Sequence, residues 1–336
     1  MIDPRRTAVC HGLAGQLNLQ DLDLMMHWCS TTYRSVSRDS TVECIWQTLV
    51  PQEAMHHPCL MHGLLALAVL DRASNATSTS TSTSTSTTNP GQSRDEHLRL
   101  AQRHQNLATS GLASLRRLET TTTSQSASNA IFALACIMIY YALAFPLLAG
   151  GSGPVYGSSS STLDDLCVVF EQTRASIAVI AGVIDRVKVG DLRPLIRRDE
   201  SRPKMPDTSR LAILSLRRLN TILGKNNNHE TDIYDQTIHH LSSALERLAE
   251  GGEPTILAIR WIFHIPARFI ELIRARRPFA LVILAHFAVI MHSLRGHWWM
   301  GSWGMNVLGD IGQTLDVQWR EHISWVIDAT GFHMPM

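Results

Sequence analysis

AIFALACIMIYYALAFPLLA, residues 130–149, carries no charged side chain. Its length just reaches that of a bilayer-spanning helix, about 20 apolar residues. The segment is also Ala-rich, sets Tyr140 beside Tyr141, contains Pro146 and has no basic cluster close to either end. A membrane span draws its orientation from flanking Lys and Arg. A helix that is apolar all round and lacks such flanks fits the centre of a helical protein. The expectation is an all-α fold with this helix in its core and no membrane span.

The neighbouring sequence supports that class. In DLDLMMHWCSTTYRSV (21–36), Leu22, Met25 or Met26, Cys29, Tyr33 and Val36 recur at three- and four-residue steps, one helical face. VECIWQTL (42–49) is a short amphipathic piece before Pro51, and Pro58 opens CLMHGLLALAVLDRA (59–73), apolar nearly all round. Helical patterns follow at 94–118, 163–184, 208–223, 232–250, 256–265 and 269–294, and Pro278 should break or kink the last. No alternating strand run and no internal repeat is visible. The reading is a single helical domain of roughly a dozen helices over 21–336, preceded by a tail at 1–20. SNATSTSTSTSTSTTNPG (74–91) is low-complexity Ser/Thr and reads as a disordered insertion. The tracts 119–129 and 150–161 read as flexible loops.

The chain has 336 residues, 45% hydrophobic and 18% charged, with a net charge of +1. Duplex binding relies on many Lys and Arg contacts to phosphate, so this balance argues against direct DNA binding. Six scattered cysteines without a CxxC pair read as reduced core thiols. The start, MIDPRRTAVCHG, lacks the apolar stretch of a secretory signal.

Local signatures of chemistry are weak. GGSGPVYG has neither the spacing nor the preceding strand of a phosphate-binding loop, and GxxxxGK[ST] and a complete GxSxG are missing. HHPCLMH gathers His56, His57, Cys59 and His62, but a zinc site draws its ligands from two segments at fixed spacing. Core and helix-start histidines are the simpler reading; no metal, cofactor or catalytic residue is assigned. His239–His240 and His292/His297 are weaker metal candidates still. The Arg-rich pieces at 193–204 and 274–277 read as solvated helix faces or as a nuclear-import signal.

HFAVIMHSLRGHWWMGSWGMNVLGDIG (286–312) is different. Three tryptophans fall between 298 and 303, threaded by Gly296, Gly301 and Gly304. Burying one Trp removes roughly 200 Å² from water, worth about 5 kcal/mol at ~25 cal/mol/Å². These rings must therefore face a core, a partner or a ligand. Phe287, Ile290 and Met291 share one helical face, and Gly301 and Gly304 let the following turn fold back over it. The expectation is an apolar ligand-binding wall of Phe287, Ile290, Met291, Trp298, Trp299, Trp303, Gly304 and Met305. A packed aromatic plug is the competing reading.

Several long stretches together carry a resemblance. LDLMMHWCSTTYRSVS, WQTLVPQEAMHHPCLMHGLLALAVLDRA, RWIFHIPARFIELIRARRPFALVILAHFAVIMHSLRGHWWMGSWG and LDVQWREHISWVIDATG resemble the regulatory domain of fungal binuclear-zinc-cluster transcription factors, of the sterol-uptake regulator type. The similarity runs from about residue 20 to the end, interrupted by the Ser/Thr insertions. Ser302, before Trp303, departs from the pattern. The resemblance implies an all-α regulatory domain that senses an apolar, sterol-like metabolite in a pocket near the C-terminus. It also implies a nuclear protein, or one shuttling with the cytoplasm. The family's zinc cluster needs six closely spaced cysteines, and only Cys10 precedes Leu22. Direct DNA binding by this chain is therefore not expected; a DNA-binding factor or a second copy would be its partner. Two other functions compete: a ligand-free interaction or dimerisation module, and an isomerase or cyclase of secondary metabolism reusing the pocket. The enzyme would need titratable groups converging there, with His286, His292 and His297 as candidates.

Overall fold

A computed structural model describes residues 19–79, 90–119, 124–150, 161–196, 208–225 and 229–333. Among the described residues every regular element is a helix, so the all-α class holds. The described residues group into two compact units, one drawn from 1–155 and 176–197, the other from 156–175 and 198–336.

The first unit begins with α1 (Leu19–His27), which runs through a π-helical turn (Trp28–Thr32) into α2 (Tyr33–Val36). A second π turn (Ile45–Leu49) joins α3 (Ser40–Cys44) to α4 (Val50–His56). Each π turn contains a buried tryptophan, and Trp28 Nε1 donates to the Trp46 carbonyl at 2.9 Å. An inserted residue in a helix rotates the following turn; here it lets both indoles point inward. Asp39 caps α3 by accepting from the Thr41 amide at 2.8 Å.

Three long helices follow: α5 (Pro58–Thr79), α6 (Pro90–Glu119) and α7 (Gln125–Ala149). Leu64 to Leu70 of α5 are fully buried. Gly63 lets α5 approach α7, since a Cβ there would lie 2.4 Å from Leu134 Cδ1. Ala130, Ile131, Ala133, Leu134, Ala135 and Ile137 of α7 are fully buried against these neighbours. Two helices, α7 and α8 (Thr162–Val187), are long and apolar enough to cross a membrane, with 67% and 33% of their most apolar windows buried in the protein. For α7 the burial accounts for the apolarity, as in a core helix; no clear membrane span results. Pro146 does not stop α7, which continues to Ala149.

Helix extends into the described edges of the polar tracts. Residues 74–79 continue α5, residues 90–91 open α6, and α7 starts at Gln125 within the 119–129 tract. Ser and Thr lose only about 0.5 kcal/mol per residue in a helix relative to Ala, so an anchored helix propagates into them. Ser124 supplies a start signal by capping the Ala127 amide. The rest of 74–91, and 120–123 and 151–160, lie outside the described residues, as do the 1–18 tail and Cys10.

The second unit is built around α14 (Pro278–Ser293), buried from Phe279 through Ala288. Against it pack α11 (Thr231–Ala249), α12 (Pro254–His264), α13 (Ala267–Arg274), α15 (Trp303–Thr314), α16 (Val317–Arg320) and α17 (Ser324–Thr330). The helix α10 (Arg210–Leu223) lies against α11; the short α9 (Arg193–Ile196) belongs to the first unit. The expected break falls at Pro278, which takes the first position of α14 while α13 ends at Arg274. Trp261, Phe287, Phe170 and Phe269 form the aromatic centre, with Trp261 stacked on Phe287 at 3.9 Å between ring centroids.

Candidate functional site

The turn after α14 places the expected wall residues in two groups. Phe287, Ile290, Met291, Trp299 and Trp303 are at most 2% exposed, packed by their own chain. Trp298 and Met305 are half-buried. Gly304 sits where α15 crosses α14: a Cβ would lie 3.0 Å from the His292 amide nitrogen and 3.2 Å from the Ala288 oxygen. Its absent side chain therefore serves a backbone-to-backbone approach. Gly301 adopts φ +39°, outside the range most side chains tolerate. Among the described residues, the buried indole Nε1 of Trp298 and Nδ1 of His292 find no hydrogen-bond partner. Buried polar atoms are rarely left so, and these two bracket the turn.

The three bracketing histidines have separate environments. His286 Nδ1 donates to the Val282 carbonyl at 2.8 Å and its ring stacks on Trp325 at 5.6 Å. Burial pushes its pKa down to about 4, so it is a neutral core histidine. His297 stacks on Trp299 at 4.9 Å. His292 is shifted down by burial and then by the Arg295 charge.

A second concave site lies on the same unit, where α11 and α12, joined by the turn at Gly251 (φ +92°), pack against each other. Its cavity of about 160 Å³ is lined by His239, His240, Arg247, Arg260, Trp261 and His264, with Ser243, Ala244 and Leu257 completing the wall. The His240 and His264 rings stand 5.1 Å apart. His264 Nδ1 donates to the Arg260 carbonyl at 2.7 Å. Sequence reading treated His239 and His240 only as weak metal ligands and missed the cavity. The signal was present: 240, 243, 244, 247 and 257, 260, 261, 264 are two helical stripes, each mixing basic and apolar residues.

In the first unit, His57 Nε2 lies 2.9 Å from Ser126 Oγ, and Ser126 donates to Glu53. Asn129 donates to the other Glu53 oxygen at 3.1 Å. With the hydroxyl proton directed at Glu53, His57 donates to the serine and does not accept from it. A nucleophile-and-base pair needs the reverse. His62 meets His104 at 3.0 Å, and His104 lies 3.4 Å from Asp21. All three are at most 5% exposed. The HHPCLMH residues thus have different partners, and among the described residues no three His, Cys, Asp or Glu side chains converge on a metal position. Burial raises the thiols of Cys136 and Cys167 to about 12 and 11, which keeps them protonated and unreactive.

Compared with known families and curated proteins, the chain matches none.

Proposed function

We propose that the chain is a regulatory module that responds to an apolar metabolite carrying a polar head, taken up at the turn after α14. The observation that carries the reading is the buried Trp298 Nε1, which has no hydrogen-bond partner among the described residues, beside half-buried Trp298 and Met305 surfaces. A hydroxylated, sterol-like molecule admitted by an opening of the turn would offer that donor an acceptor while covering the apolar rings. Two further facts support it: the all-α architecture, and the long ordered motifs that resemble the fungal zinc-cluster regulators. Nuclear residence, action through a DNA-binding partner and a non-catalytic role follow from that resemblance. The test is native mass spectrometry of the intact chain purified from a fungal host. A copurifying apolar adduct, lost in Trp298→Phe, is expected; an adduct-free protein under conditions that retain known lipid ligands would contradict the reading.

An interaction role is favoured by one feature. Leu211, Leu214 and Ile222 of α10 are 78%, 55% and 51% exposed on one helical face. A second copy covering this stripe would give a concentration-dependent dimer in light scattering, abolished by Leu211→Glu. A monomer at all concentrations would reject it.

A further inference from the structure

Helix α1 sits on its unit with its apolar residues mostly turned outward. Leu19, Leu22 and Met26 are 85%, 60% and 67% exposed, and Leu24 is its one fully buried apolar side chain. Apolar burial therefore does little to seat this helix. Polar links seat it instead. At its start, buried Asp21 lies 3.4 Å from His104 of α6, and His104 meets His62 of α5, Nδ1 to Nδ1, at 3.0 Å. At its end, His27 Nε2 lies 3.0 Å from Asp71 Oδ2 of α5, and the same oxygen accepts from Thr32 Oγ1 at 2.7 Å. Between them Asp23 pairs with Arg72 at 2.6 Å on the exposed surface, where an ion pair adds little. Trp28, directly after α1, is fully buried and fixes the π turn.

Two imidazoles that face each other through Nδ1 share a single proton at the contact. With that proton on His62, His104 accepts it and keeps its own proton on Nε2, toward the Asp21 carboxylate; this network assigns the tautomers. A further proton on the pair's contact sets two N–H groups and two positive charges 3.0 Å apart inside the protein, a repulsive arrangement. The charges acting on the pair are Asp21, which opposes that repulsion, and Arg103, which adds to it. Helix α7, packed on both α5 and α6, carries no Asp, Glu, His, Lys or Arg, and neither does the π turn at Trp28. Glu53 of α4 and the following His57 are engaged with Ser126, and His56 is exposed. We propose that α1 is a latch released by acid: double protonation of the His62–His104 pair frees the Asp21 end, and α1 swings away about the π turn at Trp28. The His27–Asp71 link at the hinge is not weakened by protons on the imidazole, since a charged ring holds a carboxylate more strongly than a neutral one. Release therefore starts at the Asp21 end. Consistent with this geometry, burial above all holds His104 down to about 4 and His62 below its usual value, with Asp21 opposing in both. Release returns both rings toward water and a value of about 6.5. The released state thus binds more protons, so the latch holds above about pH 6.5 and is lost as pH falls through about 4. The device lies in the first unit and is independent of the ligand reading at the turn after α14.

The test is hydrogen–deuterium exchange of the full chain, read by mass spectrometry at about pH 7 and about pH 4.5 and corrected for the intrinsic exchange rate at each pH. Between the two, protection of residues 19–27 should fall at least about tenfold more than that of residues 130–137 in the core of α7. His104→Gln keeps a polar side chain that cannot charge, and should hold α1 protected at the lower pH. Asp21→Asn removes the opposing charge, and should release α1 already near pH 7. His286→Gln, in the second unit, should leave the 19–27 profile as in the wild type. Circular dichroism melts near pH 7 verify that each variant folds. The two latch variants move α1 in opposite directions, so general destabilisation cannot mimic both, and either one carries the test if the other fails to fold. Three results overturn the proposal: an α1 unprotected near pH 7, parallel loss of protection in 19–27 and 130–137, or a 19–27 profile unchanged in the latch variants.

Discussion

At the scale of single residues, two glycines of α15 give opposite predictions. A helical Gly→Ala change ordinarily stabilises by about 1 kcal/mol. At Gly309 nothing lies within 4 Å of an added Cβ, so Gly309→Ala should raise stability by about that amount. At Gly304 the added carbon meets backbone of α14, which cannot rotate aside. Overpacking typically costs about 1–3 kcal/mol, so Gly304→Ala should lower stability by on the order of 1 kcal/mol net. Urea unfolding of the two variants tests the pair; equal shifts would mean that the α14–α15 crossing is looser than described. Buried histidines set a pH dependence. His286 and His104 are both pushed down to about 4, chiefly by burial, from about 6.5 when unfolded. The unfolded chain therefore binds protons first as pH falls. Stability is retained above about pH 6.5 and lost progressively through pH 4. A flat stability profile across that window would contradict their neutral burial, and His286→Gln should shallow the slope.

At the scale of elements, the decisive features were legible where periodicity and punctuation agreed. The apolar 130–149 stretch is the core of α7, and Pro278 opens α14. At 74–79 composition signals a loop, whereas α5, anchored by Leu64 to Leu70, carries its helix through these residues. The π turns at Trp28 and Trp46 were not legible, since a one-residue insertion leaves the three- and four-residue spacing nearly intact. Capping is testable here. Asp39 accepts from the Thr41 amide and is held below the usual carboxylate range by Thr41 and Arg38 hydrogen bonds that outweigh its desolvation. Asp39→Ala should cost about 1 kcal/mol, measured by thermal unfolding at neutral pH; no change would mean that α3 starts elsewhere. The basic stripes of α11 and α12 were readable one at a time. Their meeting was not, because it depends on the glycine turn that folds one helix onto the other.

At the scale of the molecule, the all-α class followed from sequence, and the candidate site only in part. Eight positions were expected to form one apolar wall. Five of them are enclosed by α14, α15 and the aromatic centre, while Trp298 and Met305 keep accessible surface and Gly304 serves a helix crossing. Sequence shows which residues must leave water, and not which of several apolar neighbours will cover them. On the reading proposed above, the turn after α14 takes up an apolar ligand whose polar head meets Trp298. The most direct measurement is tryptophan fluorescence of the intact protein titrated with cholesterol delivered from cyclodextrin, for wild type and Trp298→Phe. A saturable change is expected in the wild type, with affinity weakened about tenfold in the variant, the loss of one hydrogen bond of about 1.4 kcal/mol, at unchanged melting temperature. A wild-type signal that does not respond to the sterol, or one equally strong in Trp298→Phe, would contradict it.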